Sequence, residues 1–587
     1  MSAPSPTRPA GDELTNLGLI VVVSMAALAG LLRLAGTVTA FLTGTDPPTG
    51  GAEAGVGVLL HPADPAAALD APGLNRVVYW IVVALILALL AAAAWGVYRL
   101  VRTLRPTTKD PRRVAGTATT QQVAKIASTK ALLARGNLRP SLERPKPHQV
   151  GYLLGRCRGR DVWASVEDSI LLLGPPRSGK GLHIVINAIL DAPGAVITTS
   201  TRPDNLTTTL TARGRRGPIA VFDPQHLADG ITSGLRWSPV RGCQSPQTAM
   251  TRAHGLAAAT GLSTGGVESG GFWEGKTRAA LQQLLHAAAL GGCGARELFS
   301  WSLSPSAAAD AVAILASHPE AAPGWSAALE SAIHADPRTR DSVWMGVSLA
   351  LGCLADPRVL DAVSPAPDDQ FDPETFLRDN GTVYLLATSA GAGAAGPLVA
   401  AFIEDLVETA KRLAARSPSA RLDPPLLLAL DEIGNLAPIP SLPDLMSDGG
   451  GSGITTMPVL QSLAQARGKW GDERAGTMWD AAIVKIILGG GAVARDLQDL
   501  SALIGDRDEN TDTISVGDYG SRSLQISTRR VPIMPPEAIR TLPFGTSLTL
   551  LRAAAPMITD LRPWTARHDA VEIAAERRQI EELFRRS

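Results

Sequence analysis

Residues 174–181 read GPPRSGKG, between the apolar run SILLL at 169–173 and the helix-like LHIVINAIL at 182–190. A buried strand, a glycine-rich turn and a helix in that order make a phosphate-binding loop: successive backbone N–H groups turn inward on a phosphate, the helix N-terminus adds a positive dipole, and a lysine bridges the phosphates. Gly174, Pro175, Pro176, Arg177, Ser178, Gly179, Lys180 and Gly181 are therefore the candidate nucleotide-binding residues. The eighth position departs from the common pattern, in which a Ser or Thr hydroxyl ligates magnesium. Gly181 has no side chain to do so. With 57 glycines in the chain, the octet alone carries little, and the order of its flanking elements carries the inference.

A second element answers the first. PPLLLALDEIGNLAP at 424–438 holds an apolar run that delivers Asp431 and Glu432 to the C-terminal end of a buried strand, as a Walker B element requires. Asp431 is the candidate magnesium residue and Glu432 the candidate that polarises the attacking water, because phosphoryl transfer is mostly positioning plus charge stabilisation. ITTMPVLQ at 454–461 ends in an amide where RecA-like motors commonly sense the γ-phosphate, which makes Gln461 the third catalytic candidate beside Lys180 and Glu432. AVITTS at 195–200, IAVFD at 219–223 and TVYLLATS at 382–389 are short, apolar and bounded by Gly or Pro. They read as further parallel strands, and VKIILGG at 484–490 and TSLTLL at 546–551 complete the sheet.

Lys180 and Asp431 stand about 250 positions apart, more than the core between them needs. Residues 243–369 supply the excess: they are Ala-rich, lack alternating strands, and place Phe272, Trp273, Leu281, Leu284, Leu285 and Ala288 near helical spacing. The fold class expected is α/β, a RecA-like P-loop motor (150–242 and 370–565) with an inserted all-α domain (243–369).

The N-terminal region is of another kind. Residues 77–98 run 22 positions without a charge, about 33 Å of helix, enough to cross a bilayer core. Tyr79, Trp80, Trp95 and Tyr98 stand at its ends, where amphipathic rings settle at headgroups. A second span covers about 17–42, interrupted by Arg33, which can snorkel or face the other helix. Arg99, Arg102, Arg105, Lys109, Arg112 and Arg113 follow the second span, whereas the stretch between spans has Asp46, Glu53, Asp64 and Asp70 against Arg76. The basic flank is cytoplasmic. Residues 1–102 thus form a two-helix transmembrane hairpin with both termini inside, 103–149 a basic juxtamembrane linker with a short helix around 121–135, and 566–587 a C-terminal amphipathic helix or tail.

Fifty-five basic residues balance fifty-five acidic ones, so no bulk field draws the chain to nucleic acid. Four cysteines, tens of residues apart and without CxxC spacing, read as reduced thiols or core fillers.

With the hairpin, basic linker, GPPRSGKG, all-α insertion and LDE in this order, the chain resembles the conjugative coupling ATPases of type IV secretion systems, the TraG/TraD family. The resemblance runs over most of 75–565 and includes TTSTRPDN at 198–205, VFDP at 221–224, RWSPVRGC at 236–243, GFWEGKTRAALQQLLHAAAL at 271–290, ALDEIGNLAPIPSLPDLMSDGGGSGI at 429–454 and LQSLAQARGKWG at 460–471. Many of these proteins also carry Gly after the loop lysine, while Arg202 stands where many carry Lys. The resemblance implies ATP and Mg2+ as cofactors and a plasma-membrane, two-pass protein with a cytoplasmic motor. It implies a homo-hexameric ring that contacts lipid and type IV secretion inner-membrane components, and that feeds a DNA–relaxase complex or protein substrates to the channel. An arginine finger from a neighbouring subunit is expected, with Arg529, Arg530 and Arg552 as candidates. The alternatives are a DNA-pumping ATPase of the FtsK type, for which the tail after Trp564 leaves no room for a winged-helix reader, and a membrane scaffold that binds nucleotide without turnover.

Overall fold

A computed structural model describes residues 11–51, 53–104, 110–228, 230–231, 234–263, 269–388, 395–436, 438–516 and 522–586. The chain divides into two compact units, residues 1–109 and 110–587.

The first unit is built on two long helices, Gly11–Thr43 and Arg76–Leu104, with the short helices Glu53–Leu60 and Pro65–Ala68 between them. Within the long helices, Val23–Thr43 and Arg76–Arg99 are long and apolar enough to cross a membrane. Leu32, Ala35, Tyr79, Val82 and Val83 form their common core, and the Tyr79 hydroxyl donates to the Leu32 carbonyl (3.0 Å). Arg33 Nε donates to the Gly50 carbonyl (2.6 Å), so the connection folds back to satisfy the one charge in the span. Leu85, Leu89, Leu90 and Trp95 face outward.

Among the described residues the second unit carries thirteen strands: β1 Gly151–Cys157, β2 Arg160–Ser165, β3 Ile170–Leu173, β4 Val196–Ser200, β5 Ile219–Phe222, β6 Thr382–Leu386, β7 Leu426–Leu430, β8 Ile454–Leu460, β9 Val484–Leu488, β10 Asp506–Val516, β11 Arg522–Pro532, β12 Thr546–Leu551 and β13 Met557–Asp560. Eleven form one sheet in the order β2-β1-β13-β12-β9-β3-β8-β7-β4-β6-β5, and β10 and β11 pair as a separate hairpin. From β9 to β5 neighbours run parallel, while β12, β13, β1 and β2 extend the sheet antiparallel. β3 and β7 are buried along their whole length, which is why they read as unbroken apolar runs instead of alternating ones, and β4 is buried as fully although it ends in Thr198, Thr199 and Ser200. The parallel order brings the C-terminal ends of β3, β4, β7 and β8 to one edge, the place where open α/β sheets bind ligands.

Between β5 and β6 the regular elements are helical, from Pro246–Ala258 to Pro373–Arg378. This insertion shares one continuous core with the motor. At its root, Arg252 pairs with Asp405 (2.8 Å) with both side chains buried, Trp237 donates Nε1 to the same carboxylate (3.0 Å), and Trp237 stacks on Phe402. The expectation of core packing for its apolar stripe holds for Leu281, Leu284, Leu285 and Ala288, whereas Phe272 is exposed.

The expected tether at 103–149 is corrected in its larger part. From Asp110 the chain folds with the second unit, and the one helix anticipated around 121–135 is two, Thr120–Ile126 and Thr129–Leu133, capped by Thr119 and Ser128. Ala118, Val123, Ala127 and Leu132 are buried against Tyr152 and Val162, and Arg139 pairs with Asp423 (2.8 Å). Burying dispersed apolar residues among basic ones leaves no periodic signature in the sequence.

Candidate functional site

The loop after β3 closes on its own lysine. Lys180 Nζ donates to the carbonyls of Gly174 (2.8 Å) and Pro175 (3.0 Å), and Ser178 Oγ donates to the Pro175 carbonyl (2.7 Å). Gly179 has φ of +87° and a Cβ there would lie 2.7 Å from the His183 ring, so this position requires glycine. At Gly181 a Cβ would meet nothing within 4 Å. The departure from the common pattern therefore leaves open space where a hydroxyl would stand.

Opposite the loop, β7 ends in the acid pair. Asp431 is half-buried: its Oδ2 accepts from Asn205 Nδ2 (3.3 Å), its carbonyl accepts from the Thr199 hydroxyl (2.7 Å), and its Oδ1, shielded from solvent, has no partner among the described residues. Burial first, then the neighbouring Glu432, pushes the Asp431 carboxyl up to about 6, with Lys180 opposing. Burial also pulls the Lys180 ammonium below its ordinary value against the two acids. Glu432 has φ of +52°, and its Oε2 accepts from the Thr201 hydroxyl. A non-glycine residue in this region, at the mouth of a site, marks a backbone held by its surroundings.

Lys180, Gly181, Asp431 and Glu432 line one cavity of about 350 Å3 together with Asn205 and Arg202. A buried carboxylate oxygen without a hydrogen-bond donor among the described residues, beside a loop of the phosphate-binding pattern, fits a divalent cation held by one acid with further ligands from outside the chain. Among the described residues no group of three His, Cys, Asp or Glu forms a cage that could hold a metal without such help.

The structure does not bring Gln461 into this cavity. It follows β8, between β3 and β7, but lines a separate cavity of about 200 Å3 with Pro175, Pro176 and Leu488. Its backbone N–H donates to Gln465 Oε1 (2.8 Å), and Gln465 Nε2 donates to Asn435 Oδ1 (2.7 Å), three residues beyond Glu432. Sequence reasoning missed Asn205, Thr201, Trp564 and Arg577, all at or beside the Lys180 cavity. TTSTRPDN at 198–205 held the first two, and nothing local marked the others. Of the three arginine candidates, all exposed, Arg552 is bonded to the buried Asp168 (2.7 Å), which Arg135 also holds, and Arg530 on β11 pairs with Asp506 (3.6 Å).

Residues 425–544 match the family model described as the TraM recognition site of TraD and TraG. None of the curated proteins matches the sequence. Among solved structures, the unbound monoclinic form of the bacterial conjugative coupling protein TrwBdeltaN70 superposes with a TM-score of 0.52 at 19% identity, covering 70% of this chain and 88% of that one. Its trigonal form in complex with sulphate gives 0.51 at 18% identity over 74% and 93%. The plasmid coupling protein TrwB in complex with ADP and Mg2+ gives 0.50 at 18% identity over 69% and 88%. What is shared at these identities is the fold.

Proposed function

We propose that this chain is an ATP-driven coupling protein of a conjugative type IV secretion system, anchored in the plasma membrane by its N-terminal helices. Its motor would receive a DNA–relaxase complex or protein substrates and pass them to the membrane channel. The observation that carries this reading is the convergence of Lys180, Asp431 and Glu432 on one cavity, in a chain whose residues 425–544 match the TraM recognition model.

In this reading, Lys180 leaves the carbonyls of Gly174 and Pro175 to bridge the phosphates, and the backbone N–H groups of residues 177–181 cradle them. Asp431, oriented by Asn205, would hold Mg2+, which when bound neutralises charge on the transferred phosphoryl group. Glu432, held by Thr201, aligns and polarises the attacking water. Because Gly181 offers no hydroxyl, it would add no ligand to a metal held by Asp431. Gln461 lines a cavity with Pro175 and Pro176 of the phosphate loop, separate from the one that holds Lys180. A homo-hexameric ring supplies an arginine in trans, for which Arg529, Arg530 and Arg552 are all exposed, with Arg530 paired to Asp506 and Arg552 to Asp168.

The test is made in cells. Crosslinking within intact membranes recovers single-stranded DNA, relaxase or a secreted protein on the wild-type chain, and Lys180→Ala abolishes transfer while leaving the protein in the membrane. A chain recovered from the soluble fraction, or transfer unaffected by Lys180→Ala, contradicts the proposal.

A further inference from the structure

The helix Ala570–Arg586 ends the chain far in sequence from every nucleotide element, yet Arg577, in its middle, lines the same cavity as Lys180 and Asp431. Its Nε donates to Glu581 (2.7 Å) one turn on, and its two terminal nitrogens have no partner among the described residues. The helix is held against both elements that carry the site. Towards the helix Ile186–Asp191, which continues the phosphate loop, Trp564 and Ile573 pack on Ile186 and Leu190, and Arg567 pairs with Asp191 (2.7 Å). Asn187 donates to the Arg562 carbonyl (2.9 Å) on the same side. Towards the helix Asp204–Gly214, whose first turn carries Asn205, Arg215 pairs with Glu576 (2.5 Å) and with Glu572 (3.3 Å).

We propose that this helix forms a wall of the nucleotide cavity and that Arg577 contacts the phosphates of the bound nucleotide from within the same chain. The proposal rests on the nucleotide reading of the cavity. A guanidinium with two unengaged terminal nitrogens presents the fork that matches phosphate oxygens, and its i+4 glutamate holds the stem without occupying that fork. Arg577 is about one-third exposed, a side chain facing a cavity and not a core. Since the helix is fastened to the segments bearing Lys180 and Asn205, a nucleotide that engages Arg577 also tightens the docking of the C-terminus.

The experiment uses the full chain purified in detergent and a fluorescent ADP analogue with Mg2+. Arg577→Ala raises Kd about tenfold, Arg577→Lys restores part of the loss, and the melting temperature without nucleotide stays at the wild-type value. Lys180→Ala, run in parallel, removes binding. If Arg577→Ala binds as wild type while Lys180→Ala does not, the proposal is overturned and the nucleotide site stands. A loss shared equally by Arg577→Lys and accompanied by a lower melting temperature also overturns it, as a structural role. If Lys180→Ala binds normally, the nucleotide reading fails and the role of Arg577 falls with it.

Discussion

Asn205 donates its side-chain amide to Asp431 Oδ2 across 3.3 Å, tying the first turn of the helix after β4 to the acid at the end of β7. The other Asp431 oxygen is buried and has no partner among the described residues, so this bond sets which way that oxygen points. Asn205→Leu keeps the volume and removes the donor. It is expected to weaken Mg2+-dependent nucleotide binding about fivefold, while nucleotide binding in EDTA is unchanged. Isothermal titration with and without Mg2+ separates the two.

Asp431 makes the nucleotide-free protein sensitive to pH. Its carboxyl is raised from 3.8 to about 6, so the fold favours the protonated form. That contribution is complete below about 3.8 and is lost as pH rises through about 6. Asp431→Asn removes the buried charge and keeps the acceptor for Asn205. It is expected to raise stability in EDTA at pH 8 by up to about 3 kcal/mol, with the difference vanishing near pH 4. Thermal melts across that range check it, and an Asn variant less stable than wild type at pH 8 contradicts the raised carboxyl.

Two glycines of the octet behave oppositely. Gly181→Ser places its Cβ in open space and is expected to keep nucleotide affinity within about threefold. Gly179→Ala meets the His183 ring at 2.7 Å in a backbone conformation that side chains disfavour. It is expected to cost about 1–3 kcal/mol and to abolish nucleotide binding. Fluorescent-nucleotide titration and melting curves on both variants decide this.

Arg552 is bound to Asp168, a carboxylate with no exposure, so its loss acts first on the fold. Arg552→Ala is expected to lower stability by about 1 kcal/mol, with Arg135 still holding the acid. Arg529→Ala and Arg530→Ala leave the melting temperature unchanged, since both side chains are exposed. Turnover measured beside the melts shows which of the three acts on a neighbouring subunit.

The central strands of the sheet were legible because burial on both faces forces unbroken apolar runs, as in ILLL of β3 and LLLAL of β7. The loop and the acid pair were legible because each needs a fixed residue type next to such a run. The edge escaped notice. β1 and β2 interrupt their buried residues with glycine and charges (Gly155, Arg156, Arg160, Asp161), β13 is four residues long, and β10 with β11 makes a polar hairpin outside the main sheet. The acidic DRDEN at 506–510 gives no apolar signal for a strand. Gln461 was placed by its strand, but the side chain's cavity depends on how Gln465 pins the backbone after β8, which spacing does not encode. Arg577 reaches the site through tertiary packing of a helix about 400 positions beyond the loop.

The central claim is that Lys180, Asp431 and Glu432 form a working ATPase despite Gly181. The most direct measurement is Mg2+-dependent phosphate release by the full-length protein, reconstituted in lipid as an assembled ring with DNA present. The account predicts turnover that Lys180→Ala and Glu432→Gln each reduce at least about a hundredfold, while Glu432→Gln still binds nucleotide. An assembled wild-type ring that binds nucleotide but releases phosphate no faster than these two variants contradicts it, and describes instead a scaffold that binds without turnover.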